Sequence, residues 1–186
     1  MLITRGQLKA GELVLILGAS GGVGTGCVQI AKNLKARVIA CASSAEKLRR
    51  LKELGADYLI DYTKEDFSKK AWEISDRKGV DVLVNYTGGD TWVPSLRTLA
   101  KHGRLLTCGA TAGFDPKTDI RYIWRREVNI VGANGWTRAD LEALLIEVER
   151  GSIKPIIDRV LPLAESAEAM RLLQDREVFG KVIVTP

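Results

Sequence analysis

The sequence predicts an α/β protein of the doubly wound type, with a mostly parallel six-stranded sheet and helices on both faces. Short apolar runs alternate along the chain with longer segments in which apolar residues recur at helical spacing. Single glycines and short polar turns separate these segments, and no internal linker interrupts them. Alternating strands and helices require a parallel sheet covered on both faces, and right-handed crossovers leave the doubly wound arrangement as the simplest solution.

Length and composition agree with one packed domain over residues 1–186. The chain is 46% hydrophobic and 27% charged, which excludes intrinsic disorder. No apolar run approaches the roughly 18 residues needed to cross a bilayer, and no secretory leader is recognisable. We therefore expect a soluble, cytoplasmic protein with no membrane partner.

Each predicted strand is a short apolar run bounded by turn residues. The first, 13–17, is continuous and ends at a glycine, which is typical of a parallel strand buried on both faces. The predicted strands are 13–17, 38–41, 58–60, 80–84, 104–108 and 128–131, followed after Gly151 by a short extended piece and a last strand at 181–184. The first six form two βαβαβ halves, which is the Rossmann arrangement.

The predicted helices are recognised by an apolar face and, in two cases, by their caps. Ser44 is the expected N-cap of the second helix, which Gly55 ends. Thr137 and Asp140 form an expected capping box. The helices pass through 23–34, 45–54, 67–74, 92–99, 121–126, 138–148 and 167–173.

Residues 18–24, Gly-Ala-Ser-Gly-Gly-Val-Gly, form a glycine loop between the first strand and the first helix. Small residues in that position let the backbone approach a pyrophosphate, and the helix N-terminus offers free N–H groups to it. Ala19 replaces the first glycine of a strict GxGxxG, while Gly21 and Gly24 hold the second and third positions. We predict phosphate binding here, and tight strand–helix packing alone is the alternative.

The end of the second strand indicates which nucleotide is bound. A site for NAD normally has an acidic residue there, but Ala42 occupies that position. Ser43, Ser44 and Lys47 supply hydroxyls and a cation that suit a 2′-phosphate. The sequence therefore favours NADP(H) over NAD(H), although Ser44 alone is explained as a cap and Lys47 alone as a solvated residue.

The number and spacing of cysteines and histidines argue against a disulfide framework and a metal site. Cys27, Cys41 and Cys108 are widely spaced in apolar contexts, and His102 is the only histidine, so neither a disulfide framework nor a metal site is predicted. We interpret Cys108 as a core residue and His102 as part of a turn at the amino end of the fifth strand. No residue receives a catalytic role.

Several motifs together resemble the cofactor-binding domain of the medium-chain dehydrogenase/reductase superfamily, and most closely its zinc-independent quinone reductase and enoyl reductase branches. They run through nearly the whole chain in the expected order. They are the glycine loop, Ser-Ser-Ala-Glu-Lys-Leu at 43–48, Leu-Gly-Ala-Asp at 54–57, Asp-Tyr at 61–62, Gly-Val-Asp-Val at 79–82, Leu-Ala-Lys-His-Gly-Arg-Leu at 99–105 and Phe-Gly-Lys-Val-Ile-Val at 179–184.

The resemblance implies a set of cofactor contacts. The pyrophosphate is expected over the glycine loop and the 2′-phosphate at the end of the second strand. The loops after strands four, five and six are expected beside the nicotinamide, and Asn85-Tyr86 replaces the more usual Asp-Ser type pair before the first of them. The implied contact residues are Ala19, Ser20, Gly21, Gly22, Val23, Gly24, Ser43, Ser44, Lys47, Tyr62, Thr87, Gly109, Ala110, Thr111, Ala133 and Asn134.

The resemblance also implies a further domain. Members of the superfamily carry an N-terminal, GroES-like catalytic domain that includes any zinc ligands. Residues 1–10 resemble the remnant of the helix that connects the two domains, so we expect a fragment in which most of the substrate pocket is absent.

Two surface features concern partners. The Arg-Tyr-Ile-Trp-Arg-Arg segment at 121–126 mixes cations with aromatics, but a short amphipathic helix explains it better than a nucleic-acid site. The formal net charge of +5 is spread along the chain and is a weak argument for nucleic acid. The strand at 128–131 is the expected sheet edge, and pairing of that edge in a homodimer is expected.

These observations predict the NADPH-binding domain of a zinc-independent reductase that transfers hydride to a quinone or an α,β-unsaturated carbonyl, the small-molecule acceptor being held mainly by the other domain. Two alternatives remain open. One is the cofactor domain of a zinc-dependent alcohol dehydrogenase, and the other is a non-catalytic, nucleotide-responsive binding module.

Overall fold

The predicted doubly wound fold is confirmed by a computed structural model that describes residues 1–186. Six parallel strands form one sheet in the order β3-β2-β1-β4-β5-β6. The strands are β1 (Leu13–Ile16), β2 (Arg37–Ala42), β3 (Tyr58–Asp61), β4 (Val80–Val84), β5 (Leu99–Thr107) and β6 (Asn129–Gly132). Because the order reverses between β1 and β4, a crevice opens there at the carboxyl ends of the strands.

Helices cover both faces of the sheet. Alternate residues of β1 explain why, since Val14 and Ile16 enter one apolar cluster and Leu13 and Leu15 enter the other. The first cluster includes side chains of α1 (Gly22–Asn33) and α2 (Ala45–Glu53), and the second includes side chains of α3 (Phe67–Ile74), α4 (Trp92–Thr98) and α5 (Arg121–Arg126).

Local signals set the ends of the helices as predicted. The Ser44 hydroxyl accepts a hydrogen bond from the Lys47 N–H at the start of α2, and Gly55 follows its end with φ of 100°. Thr137 and Asp140 form the capping box of α6 (Arg138–Glu149). No residue of α6 is buried, and Leu144, Leu145 and Ile146 are all exposed.

The last part of the chain forms a second, two-stranded parallel sheet. It consists of β7 (Ile157–Pro162), α7 (Ser166–Gln174) and β8 (Lys181–Thr185), and β7 pairs with β8. Gly21 and Gly180 form an isolated parallel bridge between this unit and the glycine loop. The predicted extended piece after Gly151 is therefore the partner of the last strand.

The strands β5 and β6 start at residues other than those predicted. The edge strand lies one residue later than 128–131, and β5 starts at Leu99 instead of 104 because Leu99 already pairs with Val80. His102 lies in the irregular part of β5 with φ of 61°, and its imidazole reaches Glu127 at 3.1 Å on the surface. Residues 2–6 form turns, and the N–H of Arg5 bonds to the Met1 carbonyl and that of Gln7 to the Ile3 carbonyl.

None of the seven helices combines the length and the apolar character that a membrane span requires. The helix at 121–126 packs Tyr122 and Ile123 against the second cluster, while Trp124 remains 61% exposed. Cys108 is only half-buried, unlike the fully buried Cys41.

Candidate functional site

The glycine loop lies where β1 ends and α1 begins, beside the crevice between β1 and β4. Gly24 is needed for packing, because a Cβ there would lie 2.5 Å from the Ala19 Cα and 2.5 Å from the Gly18 carbonyl oxygen. Gly21 is different, since its φ is −80° and a Cβ would meet only the Gly18 oxygen at 3.5 Å. Packing thus explains Gly24 but leaves the absence of a side chain at Gly21 unexplained.

A tyrosine holds the start of the glycine loop through a hydrogen bond. The Tyr86 hydroxyl donates a hydrogen bond to the Gly18 carbonyl at 2.7 Å, and burial raises the pKa of this phenol well above its usual range. A phenol that stays protonated remains a donor, so Tyr86 fixes the entry to the loop. This role explains the tyrosine of the unusual Asn85-Tyr86 pair, and the sequence alone did not indicate it.

The end of α1 that faces the crevice offers free N–H groups. The helix begins at Gly22 after Gly21, and the first N–H groups of any helix lack intrahelical acceptors. Ser20 and Gly22 are half-buried and Val23 is 43% exposed, so an anion can approach this end. Free N–H groups and the positive end of the helix dipole make this position suited to an anion.

A lysine that the sequence interpretation missed lies over this position. The side chain of Lys181, the first residue of β8, runs across Gly22 so closely that a Cβ there would lie 2.3 Å from Cε and 3.0 Å from Nζ. Only the Phe-Gly-Lys tail drew attention to this residue, because nothing in the spacing relates the last strand to the first loop.

The predicted 2′-phosphate residues come together at the ends of β2 and β3. Ala42 is the last residue of β2, is 1% exposed and pairs with Asp61 of β3. The Tyr62 N–H donates to the Ala42 carbonyl at 3.2 Å, which brings Tyr62, 37% exposed, beside the half-buried Ser43 and Ser44.

A carboxylate is present near this edge but is already engaged. Asp61 accepts hydrogen bonds from the Thr63 N–H at 3.1 Å and the Thr63 hydroxyl at 2.6 Å, and it pairs with Lys64 at 3.4 Å. The Thr63 contacts, chiefly, lower the pKa of Asp61. Its oxygens are therefore committed to its own loop.

Lys47 is more buried than the sequence suggested. Its Nζ donates to the carbonyl of Arg176, and burial together with the nearby Arg176 charge lowers the pKa of the ammonium. An ammonium has three N–H donors, so two remain after this bond. Arg176 is exposed, has φ of 59°, and was not predicted as part of the site.

The loops beyond β4, β5 and β6 lie on the opposite side of the crevice. Thr87 accepts a hydrogen bond on its carbonyl from the Ala112 N–H at 2.7 Å, and the Thr111 N–H donates to the Tyr86 carbonyl at 3.3 Å. The Ala133 N–H bonds to the Thr107 carbonyl at 2.9 Å. Gly109, Ala110 and Asn134 belong to the same loops, so all the predicted nicotinamide-side residues share one edge of the sheet.

Asn85 makes this side rigid. It is fully buried, its amide donates to the hydroxyls of Thr91 and Ser95 at 3.0 Å each, and its oxygen accepts from the N–H groups of Thr87 and Gly88. All its polar atoms are engaged, so its role is to hold the loop rather than to touch a ligand.

Two further features bear on binding. No group of three or more His, Cys, Asp or Glu side chains is placed so that it could hold a metal ion. An apolar cavity of about 810 Å³ lies away from the crevice, between residues 1–4, α1 and α6.

Comparison with known proteins identifies the family. Residues 22–150 match the family model described as zinc-binding dehydrogenase. The chain belongs to this family. The matched region is the Rossmann, C-terminal part of medium-chain dehydrogenases/reductases, which confirms the resemblance.

Two of the curated relatives are an acryloyl-coenzyme A reductase and a quinone oxidoreductase. An acryloyl-coenzyme A reductase of Sulfurisphaera tokodaii is 37% identical over 185 residues, covering 97% of this chain and 53% of the relative. A quinone oxidoreductase of Pseudomonas aeruginosa is 32% identical over 194 residues, covering 97% of this chain and 58% of the relative. The chain thus spans about half the length of the curated relatives that it matches.

Solved structures agree on the fold. A crystal structure of an NAD-dependent alcohol dehydrogenase superposes with a TM-score of 0.92 at 37% identity, covering 100% of this chain and 54% of the other. A 2-octenoyl-CoA carboxylase reductase in complex with NADP and 2-octenoyl-CoA superposes with a TM-score of 0.88 at 33% identity, covering 96% of this chain and 44% of the other.

Proposed function

We propose that the chain is the NADP(H)-binding domain of a zinc-independent oxidoreductase that reduces a quinone or an α,β-unsaturated carbonyl. The observation that carries the choice of nucleotide is the end of β2. A buried alanine, Ala42, stands where NAD sites have a carboxylate, and Lys47, in the helix that follows, lies close to the charge of Arg176.

The 2′-phosphate would be held by charge-assisted hydrogen bonds. Ser43 and Ser44 offer hydroxyls, Lys47 offers its two remaining N–H donors and Tyr62 offers its exposed edge. Asp61, which pairs with Ala42 at this edge, is engaged by Thr63 and Lys64 and so does not bind the ribose. Arg176 adds a second positive charge to this end of the site.

The pyrophosphate fits the glycine loop. Gly21 has room for a side chain as far as the protein is concerned, so its lack of one is explained by the close approach of a ligand. The N-terminus of α1 lies at this loop, and the side chain of Lys181 passes close to Gly22. A cation and free amides around a backbone cradle suit a group with two negative charges.

On the other side of the crevice, residues 87, 109–111, 133 and 134 would orient the nicotinamide, and Asn85 keeps their loop rigid. When bound, the reduced cofactor supplies the hydride. The chain's own part is to position that ring and to exclude water from it.

The acceptor would be held mainly by residues outside this chain. The reductase names of the two relatives support an activated alkene or a quinone as acceptor. Exposed apolar side chains on the β7–α7–β8 unit, including Val160, Leu163 and Met170, support a further domain that covers them. Reduction by this chain alone is accordingly expected to be absent or very slow.

A second candidate is the cofactor domain of an alcohol dehydrogenase. The superposition with an NAD-dependent alcohol dehydrogenase favours it. It requires NADH to bind at least as tightly as NADPH, which the buried Ala42 at the end of β2 argues against.

We also propose a homodimer formed through β6. This strand pairs only with β5, so its other edge is open, and Ile130 is 41% exposed on it. An apolar edge of this kind is protected when two copies pair across a two-fold axis.

Nucleotide binding and turnover by the purified chain test the proposal. We expect the fluorescence of NADPH to report saturable binding that is tighter than that of NADH, with no oxidation of NADPH by a quinone or an enoyl-CoA. Binding of neither nucleotide would overturn the proposal, and a preference for NADH would favour the alcohol dehydrogenase candidate. Competition of RNA with NADPH, lost at high salt, would favour a non-catalytic binding module.

A further inference from the structure

Asp158 is a half-buried carboxylate in β7 that the proposed cofactor contacts do not include. Its side chain is only 10% exposed. It accepts a hydrogen bond from the Phe179 N–H at 3.2 Å and pairs with the Arg159 Nε at 2.9 Å and the Arg50 Nη1 at 3.5 Å. Burial alone would raise the pKa of Asp158, but the bonds from Arg159 and Phe179 hold it below its usual range, so the group is ionised.

Arg50 is held from two sides. It lies on α2, one helical turn after Lys47, and its guanidinium is 4.0 Å from the centre of the Phe179 ring, over which it lies. Asp158 binds the charged end of the same side chain while it also accepts the Phe179 N–H. These two contacts connect α2 to the segment that follows α7.

This segment, residues 176–181, touches both ends of the proposed cofactor site. The Arg176 carbonyl accepts the Lys47 ammonium at the 2′-phosphate end. The pyrophosphate end has its own attachments, since Gly180 donates to the Ser20 carbonyl at 2.8 Å and Lys181 to the Ile156 carbonyl at 2.9 Å. Asp158, through the Phe179 N–H and Arg50, therefore connects the segment to α2.

We propose that Asp158 is a positioning residue for recognition of the 2′-phosphate. Through Arg50 it sets the distance between α2 and the segment 176–181, and with it the separation of the Lys47 ammonium from Arg176. Charge-assisted hydrogen bonds to phosphate depend strongly on geometry, so a fixed pair of cations binds more tightly than a mobile one. The inference rests on the proposed preference for NADPH.

The negative charge of Asp158 and its positioning contacts have opposite effects on the affinity for NADPH. The carboxylate lies near enough to Lys47 to oppose part of the lowering of the ammonium pKa by burial and Arg176, so it also repels an incoming phosphate. If Asp158 acted only through its charge, Asp158→Asn would strengthen NADPH binding. If it acts by positioning, the same substitution weakens binding, so the sign of the change separates the two.

The test compares NADPH and NADH affinities of the whole chain by calorimetry, in the wild type and in three variants. Asp158→Asn keeps an oxygen for the Phe179 N–H and loses the ion pairs. Arg50→Lys keeps the charge but loses the planar group that stacks on Phe179. Asp175→Asn is the matched control, because Asp175 adjoins Arg176, is about half exposed and pairs only with Arg171.

We expect Asp158→Asn and Arg50→Lys each to raise the Kd for NADPH by about five- to tenfold, with the Kd for NADH changing less than about twofold. Asp175→Asn should leave both constants unchanged. Thermal melting of each variant checks the fold, and Arg50→Lys decides the question if Asp158→Asn does not fold.

The inference would be overturned if the ratio of the Kd values for NADPH and NADH were unchanged in both Arg50→Lys and Asp158→Asn. It would also be overturned if Asp158→Asn bound NADPH more tightly. Neither result would contradict the proposed function. A wild-type chain that does not prefer NADPH would overturn the proposed function and this inference together.

Discussion

The N–H of Gly180 donates a hydrogen bond to the carbonyl of Ser20 at 2.8 Å, which joins the end of the chain to the glycine loop. Gly180 has φ of 94°, and a Cβ there would lie 2.3 Å from the Ile156 carbonyl oxygen, so only glycine fits. The contact places the next residue, Lys181, over Gly22. The proposed phosphate-binding position is thus built from both ends of the sequence.

Lys181→Met should weaken NADPH and NADH binding by a similar factor, about tenfold. The substitution removes the cation beside the pyrophosphate, which both nucleotides share, and keeps the bulk of the side chain. Calorimetric titration with each nucleotide measures the two constants. Loss of NADPH binding alone would mean that Lys181 does not act at the pyrophosphate.

Gly24→Ala should destabilise the protein by about 1–3 kcal/mol, because the new methyl group would overlap backbone atoms of Ala19 and Gly18. Gly26→Ala in the same helix is the control, since a Cβ there meets nothing within 4 Å. It should stabilise the helix by about 0.5–1 kcal/mol. Urea unfolding compares the two variants, and equal midpoints would contradict the packing role of Gly24.

Gly21→Ala should leave stability within about 1 kcal/mol of the wild type while it reduces NADPH affinity by more than about tenfold. The protein has space for this methyl group, but a pyrophosphate against the backbone does not. Unfolding and NADPH titration of the same sample measure both effects. Undiminished affinity would show that no phosphate lies against Gly21.

Ile130→Lys should raise the dimer dissociation constant by more than about tenfold, because it places a charge in the β6 edge that we propose pairs between copies. Met170→Lys is the control, since Met170 is 66% exposed on α7, away from that edge. Sedimentation velocity over a range of concentrations measures the dissociation. A monomeric wild type would contradict the proposed dimer.

The fold was predictable from sequence because each local signal agreed with the parallel sheet. Continuous apolar runs such as β1 and caps such as Ser44 and Thr137 need no distant information. The start of β5 was missed, because the pairing of Leu99 with Val80 before the irregularity at His102 is a tertiary contact. The partner of the last strand was missed for the same reason.

The site was only partly predictable. The glycine loop and the missing acid at Ala42 are local signals, so they could be interpreted from the sequence. Lys181 and Arg176 join the site through the fold of the β7–α7–β8 unit, and no spacing in the sequence relates them to residues 18–47. Tyr86 was noticed as unusual, yet its role became clear only from its bond to Gly18.

The most direct test of NADPH recognition is the ratio of the Kd values for NADH and NADPH, measured by calorimetry in the wild type and in Lys47→Ala. A 2′-phosphate held by Lys47 predicts a wild-type ratio well above one that falls at least about tenfold in the variant, with the Kd for NADH nearly constant. A ratio near one in the wild type, or one that Lys47→Ala leaves unchanged, would contradict a 2′-phosphate site at the end of β2.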